Sequence, residues 1–285
     1  MPTSKEVSQW AGFRLDRPLV MGVLNVTPDS FSDGGRLGDV RDAVAAGLAL
    51  AADGADIVDI GGESTRPGAA AVPPDVEQAR IVPVIRALAA NGLCVSVDTR
   101  NASTMEAALT AGARIVNDVS ALTYDPLSAG LVAAHACPIV LMHGRGDPAS
   151  MYAQAHYLDV VAEVRAELLE RIDTAVQAGV RPEQIAIDPG IGFAKQAAHS
   201  IAMLRGLHDL ASLGYPILVG VSRKSFIGTV SQEPQASRRL GGSLAAALFA
   251  VMRGASILRV HDVRDTVQAL RVWLTLFDPG TVPLS

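Results

Sequence analysis

The stretch LVMGVLNVTPDSFSDGG, residues 19–35, opens with an apolar run and breaks abruptly at Asn25. A continuous apolar run of this length is typical of a strand buried on both faces, as in a parallel sheet. The residues that follow, among them Pro28, Asp29 and the glycines at 34 and 35, are turn formers and predict a long loop. Because parallel α/β proteins place their chemistry at the carboxyl ends of strands, we expect a functional site here.

The composition narrows the class of protein. A chain of 285 residues with 49% hydrophobic residues can form one large α/β domain or two small ones. The net charge of −5 argues against a nucleic-acid partner, and no apolar run approaches the ~20 residues that span a membrane. The polar start lacks the apolar core of a signal peptide, so we expect a cytoplasmic protein. Cys94 and Cys137 are expected to be reduced thiols in the core, with a functional role as the alternative.

Further strands are predicted to alternate with helices along the rest of the chain. We expect them at residues 55–60, 93–97, 114–116, 138–142, 184–187, 215–221 and 257–260. Eight strand–helix units in strict alternation predict an α/β fold, a single (β/α)8 TIM barrel at residues 18–278. Residues 1–17 would be a short N-terminal extension and residues 279–285 a tail. A doubly wound sheet is the alternative, but it would need a Gly-x-Gly-x-x-Gly turn, and Asn25, Val26 and Thr27 do not form one.

Polar side chains recur where the predicted strands end. Seven of the eight strands end on such a residue, in chain order Asn25, Asp98, Asn117, His143, Asp188, Lys224, and Arg259 with His261. Each has an ordinary explanation taken singly: Asp98 could cap a helix, His143 could be structural, and Arg259 could pair with Asp262. In a barrel, however, these ends converge on one face, so together they predict one polar pocket.

The chemistry of these side chains suggests two halves of a ligand. Arginine guanidinium groups bind phosphate oxygens in pairs, and cationic residues gather at the strand ends of an otherwise acidic chain. Carboxylates such as Asp98 and Asp188 can accept parallel hydrogen bonds from the amino edge of a heterocycle. We therefore expect a nitrogen-rich ring at one end of the pocket and a phosphate group at the other. The sequence has no ATP-binding glycine loop, zinc-type spacing or persuasive Ser-His-Asp order.

Several motifs resemble the bacterial dihydropteroate synthases over residues 19–274. They occur in that family's order: MGVLNVTPDSFSDGG (21–35), GGESTRPG (61–68), VDT (97–99), ND (117–118), MH (142–143), DPGIGFAK (188–195), SRKS (222–225) and RVHDV (259–263). One short block would be weak evidence, whereas this many in register is specific. Ala194 departs from the pattern, because glycine is common at this place in the family.

The resemblance implies condensation of 6-hydroxymethyl-7,8-dihydropterin diphosphate with 4-aminobenzoate, giving 7,8-dihydropteroate and pyrophosphate. By residue-level analogy, the pterin diphosphate would be bound by Asn25, Thr65, Arg66, Asp98, Asn117, Asp188, Lys224, Arg259 and His261. Of these, the catalytic residues would be Asp98, Asp188, Lys224 and Arg259. The 4-aminobenzoate site would be formed by Phe31, Pro67, Phe193 and Ser222.

The resemblance also implies a Mg²⁺ cofactor held by Asn25, a homodimer formed through the late helices, and competition between sulfonamides and 4-aminobenzoate. Two rival functions are also compatible with the sequence. One is a pterin-binding barrel of the methyltransferase type, which would not need the diphosphate cations or the loop at residues 27–35. The other is a paralogue that binds pterin without turnover. Release of pyrophosphate from the two substrates would separate the synthase from both.

Overall fold

The computed structural model describes residues 9–27, 35–64, 71–146 and 150–277, with the backbone alone at residues 35–39 and 277. Its strands are β1 Gln9–Trp10, β2 Phe13–Arg14, β3 Leu19–Asn25, β4 Ile57–Gly61, β5 Val95–Asp98, β6 Ile115–Asp118, β7 Ile139–Met142, β8 Ile185–Asp188, β9 Leu218–Val219 and β10 Ile257–Val260. Its helices are α1 Gly35–Ala52, α2 Pro74–Ala90, α3 Ala102–Thr110, α4 Ser128–His135, α5 Val160–Gln177, α6 Ala197–Arg205, α7 Leu207–Ala211, α8 Ser225–Ser231, α9 Leu240–Met252 and α10 Val263–Phe277.

Strands β3 to β10 form one parallel sheet in the order β8-β7-β6-β5-β4-β3-β10-β9. The two outer strands of this order meet, because Ile187 bridges to Ile217 and the Ile187 N–H donates to the Pro216 carbonyl at 2.9 Å. A sheet whose ends join is a barrel, so the predicted TIM barrel is confirmed and the doubly wound alternative is wrong. Among the described helices, none is long and apolar enough to cross a membrane.

Apolar side chains fill two layers of the barrel. The outer layer lies between strands and helices, where α5 contributes a stripe that includes Val164, Leu168 and Ile172. Apolar residues at helical spacing in the sequence produce this stripe. The inner layer fills the barrel with residues from the first halves of the strands, such as Met21 and Ile57. Because both faces of each strand are covered, successive side chains on both faces are apolar. The strands therefore appear as continuous apolar runs in the sequence.

The N-terminal hairpin closes one end of the barrel. Strands β1 and β2 pair antiparallel, and Trp10 is 1% exposed among inner-layer residues that include Leu19 and Ile257. Its indole N–H donates to the Gln184 carbonyl at 2.9 Å, just before β8 begins. These contacts lie at the amino ends of the strands. The carboxyl ends therefore remain as the open face.

Most barrel strands lie within two residues of their predicted bounds, and two elements differ more clearly. The seventh barrel strand is Leu218–Val219, shorter than the predicted 215–221. The sequence of residues 201–213 also predicts one helix, whereas the structure has two helices in this region, α6 and α7, that meet at Gly206. Gly206 lies so close to α5 that a Cβ atom there would be 2.6 Å from the Val161 side chain. Close packing against α5 therefore explains the glycine at this junction.

Candidate active site

A pocket opens where the strands end, and most of the predicted site residues meet in it. It is lined by Val23, Asp98, Asn117, Val119, Met142, Asp188, Ile191, Phe193, Gly220, Ser222, Lys224, Arg259 and His261. Strand register explains this convergence: Asp98 pairs with Asn117, and Met142 pairs with Asp188, so these side chains lie at the same level of the barrel. Asn25 ends β3 beside Gly61 and is not part of this lining. The predicted residues Phe31, Thr65, Arg66 and Pro67 lie outside the described residues.

Arg259 links two carboxylates across the barrel. Its Nε donates to Asp59 Oδ2 at 2.6 Å and its Nη2 donates to Asp98 Oδ2 at 2.6 Å. The suggested pair between Arg259 and Asp262 is wrong, because Asp262 instead accepts hydrogen bonds from Arg223. The two carboxylates thus fix the Arg259 guanidinium, Asp59 from beneath the pocket and Asp98 from its side. Its guanidinium lines the pocket from this anchored position.

Burial shifts the protonation of the pocket carboxylates. The pKa of Asp98 is raised to about 7, mainly because burial disfavours the charged form, while Arg259 opposes the shift and Asp59 adds to it. Burial likewise raises the pKa of Asp188, against the effects of the Gly190 N–H and of Lys224. Only the ionised form of each carboxylate can use both oxygens as acceptors, and its negative charge can stabilise a ring that becomes positively charged.

The loop after β8 is held in one conformation. The Gly190 N–H donates to Asp188 Oδ1 at 2.7 Å, which turns the loop around the carboxylate. Gly190 has φ +64°, and a Cβ atom there would lie 1.9 Å from the His143 carbonyl oxygen. Only glycine combines this backbone conformation with so close an approach. The loop can then bring Ile191 and Phe193 to the pocket wall.

A buried chain of polar groups ties this loop to α5. Lys195, 1% exposed, places Nζ 2.8 Å from His143 Nδ1 and 3.2 Å from the Phe193 carbonyl. His143 Nε2 donates in turn to Glu167 Oε2 at 3.0 Å. Burial lowers the pKa of His143 to about 4 and that of Lys195 to about 7. His143 is therefore a neutral, structural histidine, which was the simpler of its two sequence explanations.

The opposite wall joins a cation, an aromatic ring and a histidine. Lys224 Nζ lies 4.2 Å from the centroid of the Phe193 ring, and burial lowers its pKa to about 8. The Ser222 hydroxyl lies 3.0 Å from His261 Nδ1 and accepts from the His261 backbone N–H at 3.2 Å. Burial lowers the pKa of His261 to about 4. At neutral pH it can therefore donate a hydrogen bond through Nε2 but contributes no charge.

Known proteins that are similar to this chain show which family it belongs to. The pterin binding enzyme family matches residues 21–261. The dihydropteroate synthase of Mycobacterium leprae (strain TN) is 52% identical over 265 residues, which cover 90% of this chain and 93% of that protein. The chain belongs to the dihydropteroate synthase family. This confirms the resemblance drawn from the motifs.

Solved structures of the family carry the same fold. The dihydropteroate synthase of Xanthomonas albilineans with 4-aminobenzoic acid is 50% identical, has a TM-score of 0.89 and covers 96% of this chain and 97% of its own. A structure of the enzyme from the same organism in complex with 7,8-dihydropteroate is 47% identical, with a TM-score of 0.85 and coverage of 95% and 97%.

The backbone at position 194 has a conformation that favours glycine. Ala194 is fully buried and has φ +46°, in the left-handed region that favours glycine. An alanine there costs about 1–2 kcal/mol relative to a relaxed backbone. The departure seen in the sequence therefore weakens this loop slightly but removes no functional group.

Two site residues behave differently from what sequence reasoning suggested. Arg223 precedes Lys224 at a strand end and would be expected beside it in the pocket, but it has φ +61° and pairs with Asp262 beside α10, so it does not line the pocket. Asp59 was missed, although it is wholly buried and holds both Arg259 and Asn117. The available signal was a carboxylate in the middle of an apolar strand, at the alternating position that faces the barrel interior.

Proposed function

We propose that this chain condenses 6-hydroxymethyl-7,8-dihydropterin diphosphate with 4-aminobenzoate to form 7,8-dihydropteroate and pyrophosphate. The observation that carries the proposal is the buried set of Asp98, Asn117 and Asp188 beside Lys224 and Arg259 in one pocket. The ligands of the two solved relatives, an aminobenzoate and a dihydropteroate, support the same reaction.

The carboxylates and the amide are proposed to bind the pterin ring. Asp188 uses Oδ1 for the Gly190 N–H, which leaves Oδ2 as an acceptor for the amino edge of the ring. Asp98 uses Oδ2 for Arg259 and has Oδ1 for a second ring donor. Lys224 complements them with N–H donors for the ring oxygen or nitrogen. A flat heterocycle with donors on one edge and acceptors on the other matches this arrangement.

The diphosphate is proposed to lie on the side of Arg259 and His261. The guanidinium retains Nη1 for phosphate oxygens because Nε and Nη2 are held by carboxylates. The neutral His261 donates through Nε2, since its Nδ1 faces the Ser222 hydroxyl. Thr65 and Arg66 are proposed to complete this side.

The reaction needs no protein nucleophile. The bond between the exocyclic methylene carbon and the diphosphate oxygen breaks, and pyrophosphate leaves with the electron pair. The positive charge left on carbon spreads into the electron-rich ring, where ionised Asp98 and Asp188 stabilise it. The aminobenzoate nitrogen then bonds to the methylene carbon and releases a proton. These residues thus act on the charge that develops in the transition state.

The second substrate is proposed to lie against Phe193 and Ser222. Phe193 offers a ring face on which Lys224 also sits, and Ser222 lies beside His261. An aromatic amine stacked here would approach the methylene carbon from the open end of the pocket. Phe31 and Pro67 are proposed to close this site.

A magnesium ion is proposed to arrive with the substrate and to be held partly by the diphosphate oxygens. Among the described residues, no group of three or more His, Cys, Asp or Glu could hold a metal ion alone. Magnesium, however, commonly binds through one or two protein oxygens together with substrate phosphates and water. Asn25 at the end of β3 would supply such an oxygen. When bound, the ion would neutralise charge on the leaving pyrophosphate.

A single assay tests the proposed function. Mixing the purified protein with the pterin diphosphate, 4-aminobenzoate and Mg²⁺ should release pyrophosphate and form dihydropteroate in equal amounts. Omitting 4-aminobenzoate should abolish release. Tight binding of the pterin without pyrophosphate release would favour the inactive paralogue, and methyl transfer from a methylated folate would favour the methyltransferase-type barrel.

We also propose that two copies of this chain form a dimer through α8, α9 and α10. These helices expose apolar side chains, including Val230, Met252, Val272 and Leu276. Sedimentation analysis should give twice the mass of the chain, and Met252→Glu should shift it toward monomer. Leu158→Glu, at an exposed residue outside these helices, is the matched control and should leave the mass unchanged. The cytoplasmic location stays a prediction.

A further inference from the structure

Asp59 is a buried carboxylate that serves two pocket residues at once. It lies in β4, beneath the pocket, and its side chain is wholly buried. Its Oδ2 accepts from Arg259 Nε at 2.6 Å and from Asn117 Nδ2 at 3.0 Å. Its Oδ1 has no hydrogen-bond partner in the described part of the chain. One oxygen of Asp59 therefore joins β4 to two other strands, β6 and β10.

The hydrogen bond to Asn117 decides which end of its amide faces the pocket. An asparagine amide has a donor end and an acceptor end that differ little in size. Because Nδ2 is engaged by Asp59, Oδ1 is the end left for a ligand in the pocket that Asn117 lines. Without an acceptor at Asp59, the amide could rotate and present its N–H groups instead, since this terminal torsion is broad. A donor there would oppose the N–H groups of a pterin ring.

The same oxygen fixes Arg259. The guanidinium is planar, so carboxylates at Nε and at Nη2 define both its position and the direction of Nη1. Loss of Asp59 would leave only the contact with Asp98, about which the guanidinium could pivot. Asp59 thus sets the orientation of one group that faces the ring and of one that faces the phosphate.

We propose that Asp59 is a positioning residue that orients the Asn117 amide, with its oxygen toward the substrate ring, while it anchors Arg259. The proposal rests on the proposed function, because it takes the ring to be a pterin. Asp59 acts through its neighbours and makes no contact with the substrate in this arrangement. For this role, the position of the Asp59 oxygen matters as much as the charge of its carboxylate.

A double-mutant cycle tests this role by binding alone. The probe is 6-hydroxymethylpterin, the substrate ring without the diphosphate, titrated calorimetrically into the full-length protein. Asp59→Ala and Asn117→Ala should each weaken binding on the order of tenfold or more. If Asp59 acts through Asn117, the double variant should lose little more than the worse single variant. Losses that multiply, or an unchanged affinity of Asp59→Ala, would overturn the proposal.

A conservative variant separates the effect of the Asp59 oxygen's position from the effect of its charge. It also keeps the proposal testable if Asp59→Ala does not fold. Asp59→Asn keeps an oxygen where Oδ2 lies, so Asn117→Ala should cost the same in this background as in the unchanged protein. If Asn117→Ala costs no affinity in the Asp59→Asn background, the charge of Asp59 alone matters and the proposal is wrong. Asp56→Ala, which removes a carboxylate at the far end of the barrel that holds Arg17, is the control. It should lower the melting temperature and leave pterin affinity unchanged.

The proposed function can fail separately. Pterin binding with the expected coupling but without pyrophosphate release would overturn only the proposed reaction. Pterin binding with multiplied losses would overturn only the role of Asp59. Absence of pterin binding by the unchanged protein would overturn both.

Discussion

Replacement of Gly190 by alanine tests the loop after β8, which donates a hydrogen bond to the Asp188 side chain. A Cβ atom at this position would lie 1.9 Å from the His143 carbonyl oxygen, whereas Cβ atoms essentially never come closer than 3.0 Å. The two groups must therefore separate by roughly 1 Å. Neither can move freely, because the His143 N–H donates to the Asp188 carbonyl at 2.8 Å and β7 is paired with β8. The strain should reach the Asp188 side chain itself.

The expected magnitude has two parts. The left-handed backbone costs an alanine about 1–2 kcal/mol. The steric overlap adds about 1–3 kcal/mol, as for other overpacked sites. Displacement of the loop should also break the hydrogen bond from Gly190 to Asp188, and a shift of this size in a binding group can lower kcat/KM by about a hundredfold.

Gly92→Ala provides a matched control. Gly92 has φ +80°, but a Cβ atom there would meet nothing within 4 Å. The Gly92→Ala substitution therefore costs only the energy of the left-handed backbone, and it lies far from the pocket. Urea unfolding and pyrophosphate-release kinetics should show a larger stability loss for Gly190→Ala than for Gly92→Ala, and a loss of kcat/KM only for Gly190→Ala. Equal stabilities with unchanged kinetics in both would refute the steric reasoning.

Four further predictions use the same assays. Since the pKa of Asp98 is about 7 and the ionised form accepts ring donors, KM for the pterin substrate should rise as pH falls below 7; Asp98→Asn should keep the fold but lose most activity and this pH dependence. Arg259→Lys should weaken calorimetric binding of pyrophosphate with Mg²⁺ by about 1–3 kcal/mol, because the planar fork is lost, and unchanged affinity would make Arg259 purely structural. Ala194→Gly should raise stability toward urea by about 1 kcal/mol by relieving its left-handed backbone, and a loss of stability would contradict that reading. Sulfamethoxazole should compete with 4-aminobenzoate for the wall that includes Ser222, and inhibition that excess 4-aminobenzoate cannot reverse would place the aminobenzoate site elsewhere.

Local patterns in the sequence were sufficient for the architecture of the barrel. Apolar runs such as residues 19–24 are strands because both of their faces are covered, and the stripe of α5 follows from helical periodicity. The polar residues at strand ends could be predicted to share a pocket because parallel strands point the same way. Asp98, Asn117, Asp188, Lys224 and Arg259 do meet there. Their roles toward the substrate stay predictions.

Pairing within the pocket was decided only by the tertiary structure. Arg259 and Asp59 are 200 residues apart in the chain, and no local spacing favours that pair over the nearby Asp262. In the closed barrel, β10 and β4 pair with opposite edges of β3. Side-chain alternation then turns both Arg259 and Asp59 toward the barrel interior. Trp10 closes the other end for the same reason, since its burial depends on strands that come together only in the closed barrel. Periodicity records which face of an element is covered, whereas register and closure determine which distant side chain covers it.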